Sequence, residues 1–439
     1  MSGYSEGGAS ISKKSLKTWR PVHLSAKSDI EKNHQTLRNR AADLAYNSAL
    51  GSAIISTMTT GVIGSGLKVY PKVEEDLSKK IRREFELWAG ECDYLRRSNF
   101  YELQRIAYET SLVDGDSFCL IKRRMPSARN PYSLKLQCVE GLRISNPLTE
   151  GALLSTVEMK YKNNRIVNGI EFDCDGVQTA VWISNRVWNE PEYLGEGLEW
   201  ERVKWFGEES DSRNVLQICY DTRADQSRGV PLLAPVIESL KQMARYSDAE
   251  LSAAIIRSFF SLFFKQPISN YDLNQIVGED LDINDFTLSE PSVTALPRGV
   301  EVQAINNANV TSAFDSFFSA FIKQISAAVG LPFEVLLHHF QSSYSASRAA
   351  LLEAEKVFKI RRCGFVNDFL RPIYEMFIDE AVALGRLNLP DYEERRLEYL
   401  SAEWIGDKLG GIDELKSANA AKVRMEIGLT SLAEERLRL

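Results

Sequence analysis

Histidine is scarce in this chain: four in 439 residues, and two of them, His338 and His339, are neighbours. Adjacent side chains point apart on a helix and on a strand, so the pair cannot close a metal site by itself. The other two, His23 and His34, lie near the N-terminus. A zinc centre or a histidine-dependent nucleophile is therefore not expected, and no cofactor is implied. The six cysteines, Cys92, Cys119, Cys138, Cys174, Cys219 and Cys363, include no CxxC pair. They read as reduced core or surface residues, not as zinc ligands or a disulfide framework. Long apolar runs are missing too. The most apolar stretch, Leu251 to Phe264, has 14 residues and contains Arg257, whereas a membrane span needs about 20. No charged-then-apolar leader opens the chain, so a cytoplasmic protein with no membrane partner is expected.

Positive charge is also in short supply. A net charge of -7 argues against a protein that grips nucleic acid by neutralising many phosphates. The charge is unevenly spread. From Gln266 to Asn309, Asp272, Glu279, Asp280, Asp282, Asp285, Glu290 and Glu301 face the single cation Arg298, so this segment carries -6. The first 47 residues hold eight Lys or Arg against four Asp or Glu. Such asymmetry is equally well read as a solvated acidic subdomain and a loose basic arm.

Motifs for chemistry are few. Gly61 to Lys68 is glycine-rich, but no Gly-Lys-Ser or Gly-Lys-Thr follows, and it runs from helix to strand, the reverse of a phosphate loop. Asp114-Gly115-Asp116 at a helix-to-strand junction has the composition of a divalent-cation site but reads better as a turn with an Asx hydrogen bond. Asp173-Cys174-Asp175-Gly176 lacks the remaining calcium-loop spacing and reads better as a hairpin turn.

Hydrophobic spacing divides the chain into stretches of different character, with an α+β fold as the expectation. Residues 1–36, rich in Ser, Gly and Lys, read as a mobile arm. Helical periodicity follows from Leu37 to Ile63, Asp76 to Ala89 and Phe100 to Val113. Period-two, β-branched segments then run through Ser117–Lys122, Leu134–Val139, Val157–Tyr161, Ile166–Phe172, Val177–Ile183 and Val215–Tyr220, with hairpin turns at Asn163-Asn164 and Asp175-Gly176. A long helix is expected after Pro231, ending before Pro267. Another carries Phe314, Phe317, Phe318, Phe321, Ile322, Ile325 and Val329 on one face. Burying those side chains is worth on the order of 10 kcal/mol at about 1.5–3 each, so the face needs a partner surface, in the same chain or on another copy. A last long helix from Ser345 to Leu384 is kinked by Pro372 and stopped by Gly385, and a short helical end spans Leu415 to Leu437.

Several ordered pieces resemble the lambda-type portal proteins of tailed bacteriophages. They are Ala41 to Gly66, Asp114-Gly115-Asp116, Gly169 to Phe172 leading to Ala180 to Ile183, Arg223 to Pro231, Gly330 to Arg348, and Trp404 to Gly428. Each is weak alone; order and spacing together are specific. Departures stand at His339, where the family has Asp, at Ser343, where it has Asn, and at Ala224-Asp225 in place of Pro-Gly.

The resemblance implies a ring of about twelve copies joined head to tail around a DNA channel. Residues 37–231 would be the α+β wing, 232–265 and 310–337 the stem, and 266–309 the clip. Residues 338–347 would form the tunnel loop, 348–404 the C-terminal wing and 405–439 the crown. Glu279, Asp280, Asp282, Asp285 and Glu290 would dock the packaging motor. His338, His339, Gln341, Ser342, Ser343 and Tyr344 would touch the DNA backbone, and Phe314, Phe317, Phe318, Phe321 and Ile325 would pack the stem. The implied partners are further copies of the chain, the terminase large subunit, capsid and scaffold proteins, head-tail connector proteins, and double-stranded DNA held weakly and without sequence preference. The setting would be the virion, with assembly in the host cytoplasm and no catalysis. Two other readings stay open: a metal-dependent DNA-processing enzyme using Asp114 and Asp116, and a head-morphogenesis scaffold that oligomerises through the Phe314 face.

Overall fold

The computed structural model of the protein describes residues 14, 18, 21–127, 129–147, 159–187, 199–208, 211–259, 263–265, 301–303, 311–340, 343–407, 414–430 and 435. They form two compact units. The first runs to Leu240 and resumes at Lys323; the second is Lys241–Ile322.

Helix begins earlier than the periodicity predicts. A π-turn at Lys27–Glu31 leads into α1, Lys32–Asn47, so residues 27–36 do not belong to a loose arm. Tertiary contacts hold this polar stretch. Ile30 and His34 are buried, and Asp29 accepts from Arg223 Nη1 at 2.7 Å. The expected single helix to Ile63 is two. Ser48 is extended (φ -109°, ψ 126°), and its hydroxyl caps α2, Ala49–Val62, by accepting from the Gly51 N–H. A Cβ on Gly51 would lie 2.2 Å from the Leu44 carbonyl oxygen, so only glycine allows this close corner.

Helices α3, Glu75–Ala89, and α4, Phe100–Asp114, follow. Asn99 and Glu102 cap α4 reciprocally, each accepting the other's backbone N–H. Phe85, Trp88 and Phe100 pack edge-on and tilted at 5.2–5.4 Å. Later parts of the chain, Phe369, Tyr374, Phe377 and Trp404, join the same aromatic core.

The strands β1, Lys68–Pro71, β2, Asp116–Arg123, β3, Leu134–Val139, β4, Met159–Tyr161, β5, Asn164–Val167, β6, Ile170–Phe172, β7, Gln178–Ser184, β8, Trp200–Lys204, and β9, Val215–Cys219, confirm most of the period-two readings. β2 to β9 make two sheets, ordered β3-β2-β9 and β4-β5-β6-β7-β8. Side chains from both sheets, Phe118, Leu120, Val167, Ile170, Val181, Ile183 and Val215, form one buried core with Ile144 and Trp205. Ile166–Phe172 is not one strand but the hairpin β5–β6. Its turn is Asn168 (φ 46°) and Gly169 (φ 84°), an Asn-Gly pair that tolerates two positive φ values. The preceding turn is Lys162-Asn163, one residue earlier than expected. β8 was not foreseen.

In the second unit, α5, Ile237–Phe259, begins in the first unit, and α6, Thr311–Val329, ends there. Strands β10, Phe263–Lys265, and β11, Glu301–Gln303, pair antiparallel. Tyr246 packs on Phe314 at 5.5 Å and Phe317 at 4.7 Å. The acidic residues Glu279, Asp280, Asp282, Asp285 and Glu290 lie outside the described residues. The phenylalanine face is only half used within one protomer. Ile322, Ile325, Ser326 and Val329 are buried, whereas Phe317 is 45% exposed and Phe314, Phe318 and Phe321 are intermediate. The four phenyl rings therefore do not realise the full burial energy in a single chain.

The chain closes with α7, Phe333–Leu336, α8, Tyr344–Phe365, a π-turn Val366–Leu370 and α9, Arg371–Ala383. The helical path runs unbroken from Tyr344 to Ala383, and Pro372 follows closely on the π-turn Val366–Leu370, a local irregularity at the site where its N–H is missing. Gly385 (φ 66°) stops it as expected. The segments α10, Tyr392–Tyr399, and β12, Ala402–Ile405, are not among the expected elements, and β12 pairs antiparallel with β1. α11, Glu414–Glu426, is shorter than expected. Among the described residues no helix is long and apolar enough to cross a membrane.

Candidate nucleic-acid interface

α6 ends at Gly330 (φ 77°), where the Leu331 N–H reaches back to the Ser326 carbonyl. Pro332 then starts the single turn α7, with Val335 and Leu336 buried as its anchor. Beyond it the chain turns outward. Leu337, His338, His339 and Phe340 are exposed, as are Ser343 and Tyr344 where α8 begins. His338 is left-handed (φ 52°), and the His339 N–H is tied to the Glu334 carbonyl at 3.0 Å. Ser343 accepts from the Ala346 N–H, so it caps α8 as the family's Asn would. Gln341 and Ser342 lie outside the described residues. The tip thus carries two imidazoles, a phenyl ring, a phenol and a hydroxyl, with no carboxylate on it. Such groups suit transient contact with a phosphate backbone.

A buried ionic cluster lies in the same unit. Asp116 Oδ2 accepts from Arg228 Nε at 2.6 Å, and Oδ1 from Arg228 Nη2 at 2.9 Å. Oδ1 also accepts from Arg38 Nη2 at 3.3 Å; Oδ2 takes the Gly229 N–H at 3.0 Å and Gln217 Nε2 at 3.3 Å. Arg228 spends its remaining donors on the carbonyls of Gly141, Ile144 and Asn168. Burial would raise the Asp116 carboxyl, but the Arg228 guanidinium, bonded at two points, holds it well below the usual carboxylate range. Burial, with Arg38 and Arg228 nearby, pushes the His34 imidazole well down. Burial and Arg228 lower Arg38 to about 10. Burial raises Asp114 to about 6 against the pull of Arg38.

Asp114-Gly115-Asp116 and Arg223 to Pro231 are therefore one device. Gly115 (φ 94°) and Gly229 touch backbone to backbone, and a Cβ on Gly229 would stand 1.9 Å from the Gly115 oxygen. Asp225 adopts φ 60°, which fits a position where the family has Gly, since Asp tolerates the left-handed region. Arg223 ties the loop to the N-terminal segment through Asp29 and the Leu24 carbonyl. A cavity of about 280 Å³ separates this loop from the helices that bear the exposed tip. Cys219, Val230, Val329, Arg361, Phe365 and Asp368 are among its lining residues. Arg361 lies 4.4 Å over the Tyr220 ring.

The cation site imagined at Asp114 and Asp116 does not form. Both Asp116 oxygens are taken by guanidinium and amide donors, and among the described residues no group of three His, Cys, Asp or Glu could hold a metal ion. Asp173 likewise turns on its own hairpin, accepting from the Asp175 and Val177 N–H groups. The glycine turn Gly64-Ser65-Gly66 is filled from within: Asp407 accepts from the Ser65 N–H at 2.6 Å and its hydroxyl at 2.7 Å. Sequence reasoning missed Arg38, His34 and Asp407. Only the family motif pointed to Arg228.

The chain matches the family described as phage portal protein, lambda family, over residues 12–362. A probable portal protein of Halomonas phage phiHAP-1 is 24% identical over 423 residues, covering 92% of this chain and 77% of that one. Portal protein B of Escherichia phage lambda is 21% identical over 473 aligned positions, covering 99% and 86%. Among solved structures, a chain in the neck of a native GTA particle computed with C12 symmetry aligns at TM-score 0.47 and 11% identity, covering 92% of each chain. A chain in the neck of an empty GTA particle computed with C6 symmetry aligns at TM-score 0.46 and 12% identity, covering 96% and 95%. This chain belongs to the lambda family of phage portal proteins.

Proposed function

We propose that this protein is the portal subunit of a tailed phage: about twelve copies close into a ring at one capsid vertex, and double-stranded DNA enters and leaves through the hole. The observation that carries this reading is the family match over residues 12–362. The half-exposed phenylalanine face of α6 supports it, because a neighbouring copy would complete the burial that one chain leaves unfinished. The work is mechanical. The segment with His338, His339, Gln341, Ser342, Ser343 and Tyr344 would brush the DNA backbone. A -6 segment repeated around a ring would make an anionic collar that repels phosphates. Weak, sequence-independent contact suits a conduit in which DNA slides both ways.

In this reading the acidic segment bearing Glu279, Asp280, Asp282, Asp285 and Glu290 meets the terminase motor first and the head-tail connector proteins later. Capsid and scaffold proteins would surround the ring, which assembles in the host cytoplasm. The test is the mass of the purified protein in solution with negative-stain images. A closed ring with a central hole, at about twelve times 49.5 kDa, supports the reading. A stable single protomer, or magnesium-dependent cleavage of duplex DNA by the purified protein, would overturn it.

A further inference from the structure

Cys119 on β2 and Cys138 on β3 are direct cross-strand partners. The hydrogen-bond phase of this antiparallel pair is set by the Arg124 N–H, which donates to the Ser133 carbonyl at 2.9 Å. Bonded pairs alternate from there, at 122 with 135 and at 120 with 137, so Cys119 and Cys138 occupy a non-hydrogen-bonded site. The Leu136 N–H agrees, since it points away from β2 to the Cys92 carbonyl at 2.8 Å. In such sites the Cα atoms lie about 4.5 Å apart with side chains on one face, within the ~4.4–6.8 Å that a disulfide requires. Cys119 is fully buried and Cys138 half-buried. The Cys138 thiol beside it, together with burial, holds the Cys119 thiol well above its ordinary range.

We propose that Cys119 and Cys138 are a disulfide-forming pair, reduced in a reducing cytosol and joined when the protein meets a disulfide oxidant. The half-buried Cys138 reacts first. Its thiolate attacks one sulfur of oxidised glutathione, forms a mixed disulfide and expels one glutathione thiolate. Cys119 gives up its proton, attacks the Cys138 sulfur and expels the second. Two thiols are oxidised to one disulfide, and one glutathione disulfide is reduced to two thiols. Cys119 is a poor thiolate, so the second step is the slow one. The bond would staple the hairpin whose strand β2 also carries Asp116, tightening the sheet under the ionic cluster. A particle outside the cell meets an oxidising medium; that setting rests on the portal reading, whereas the chemistry of the pair does not.

The full-length protein is incubated with oxidised glutathione at pH 8, quenched with N-ethylmaleimide and digested without reductant for mass spectrometry. The expected result is a peptide linking Cys119 to Cys138, present also in Cys92→Ser, abolished in Cys138→Ser and reversed by dithiothreitol, with a higher thermal midpoint for the oxidised form. Exposed Cys174 and Cys363 report that the oxidant acted. If they carry glutathione while Cys119 and Cys138 remain thiols, the inference fails. It fails equally if Cys138 stops at the mixed disulfide or Cys119 joins Cys92.

Discussion

Asp116 and Arg228 are 112 residues apart in the chain and meet as a two-point ion pair in which neither side chain is more than 1% exposed. A pair removed from water this completely survives only because every further donor and acceptor around it is used. Removing one partner leaves the other as an uncompensated buried charge.

Asp116→Ala is therefore expected to cost about 3–5 kcal/mol, read as a drop in the urea midpoint. Arg228→Lys should recover little, because an ammonium cannot make two parallel bonds to the carboxylate and three more to carbonyls. Equal stability of Arg228→Lys and the parent would contradict this account.

Asp114 gives a pH prediction of opposite sign to Asp116. Its folded carboxyl titrates at about 6, against about 3.9 in an unfolded chain. The folded state binds this proton more tightly, so the contribution is full below about pH 4 and lost as pH rises towards 6. Asp114→Asn should raise stability at pH 7.5 by on the order of 3 kcal/mol and leave it nearly unchanged at pH 4. Thermal melts at the two pH values check this. Asp116, with its depressed carboxyl, stabilises above about pH 4 and loses that contribution as pH falls below it.

Gly229→Ala should be among the most damaging single changes. The new methyl would sit 1.9 Å from the Gly115 oxygen, and both partners in the contact are backbone. Soluble yield and the far-ultraviolet circular dichroism of the variant would report it; a normally folded Gly229→Ala protein would show that the two motif loops are free to part.

The exposed tip predicts the reverse pattern. His338→Ala and Tyr344→Ala should shift stability by no more than about 0.5 kcal/mol, since neither side chain is buried. DNA binding by these variants, measured at low salt, should weaken, and binding by the parent should fall steeply as salt rises. Tight binding of the parent at physiological salt would sink the sliding-contact picture.

Much of the secondary structure could be read in advance because local pattern carries it. The period-two run Leu134–Val139 is a strand with those same ends, and Phe100 to Val113 is a helix capped by the preceding Asn99. The hairpin at Asn168-Gly169 carries a clear turn signal, an Asn-Gly pair set within a run of β-branched residues that otherwise reads as one strand. The helix at residues 27–36 and the strand β12 carried none. The former is held by Asp29 on Arg223, and the latter exists by pairing with β1, more than 300 residues earlier.

From the sequence alone came most of the helical and extended segments, the scarcity of histidine and the portal-family kinship, because these depend on residue order over short spans. Tertiary structure decided what the charged residues do. Asp114-Gly115-Asp116 has the composition of a cation site, yet two arginines from distant segments and a glycine amide occupy Asp116 and turn it into a brace. A carboxylate's role follows from the charges that fold against it, and no local spacing specifies which those will be.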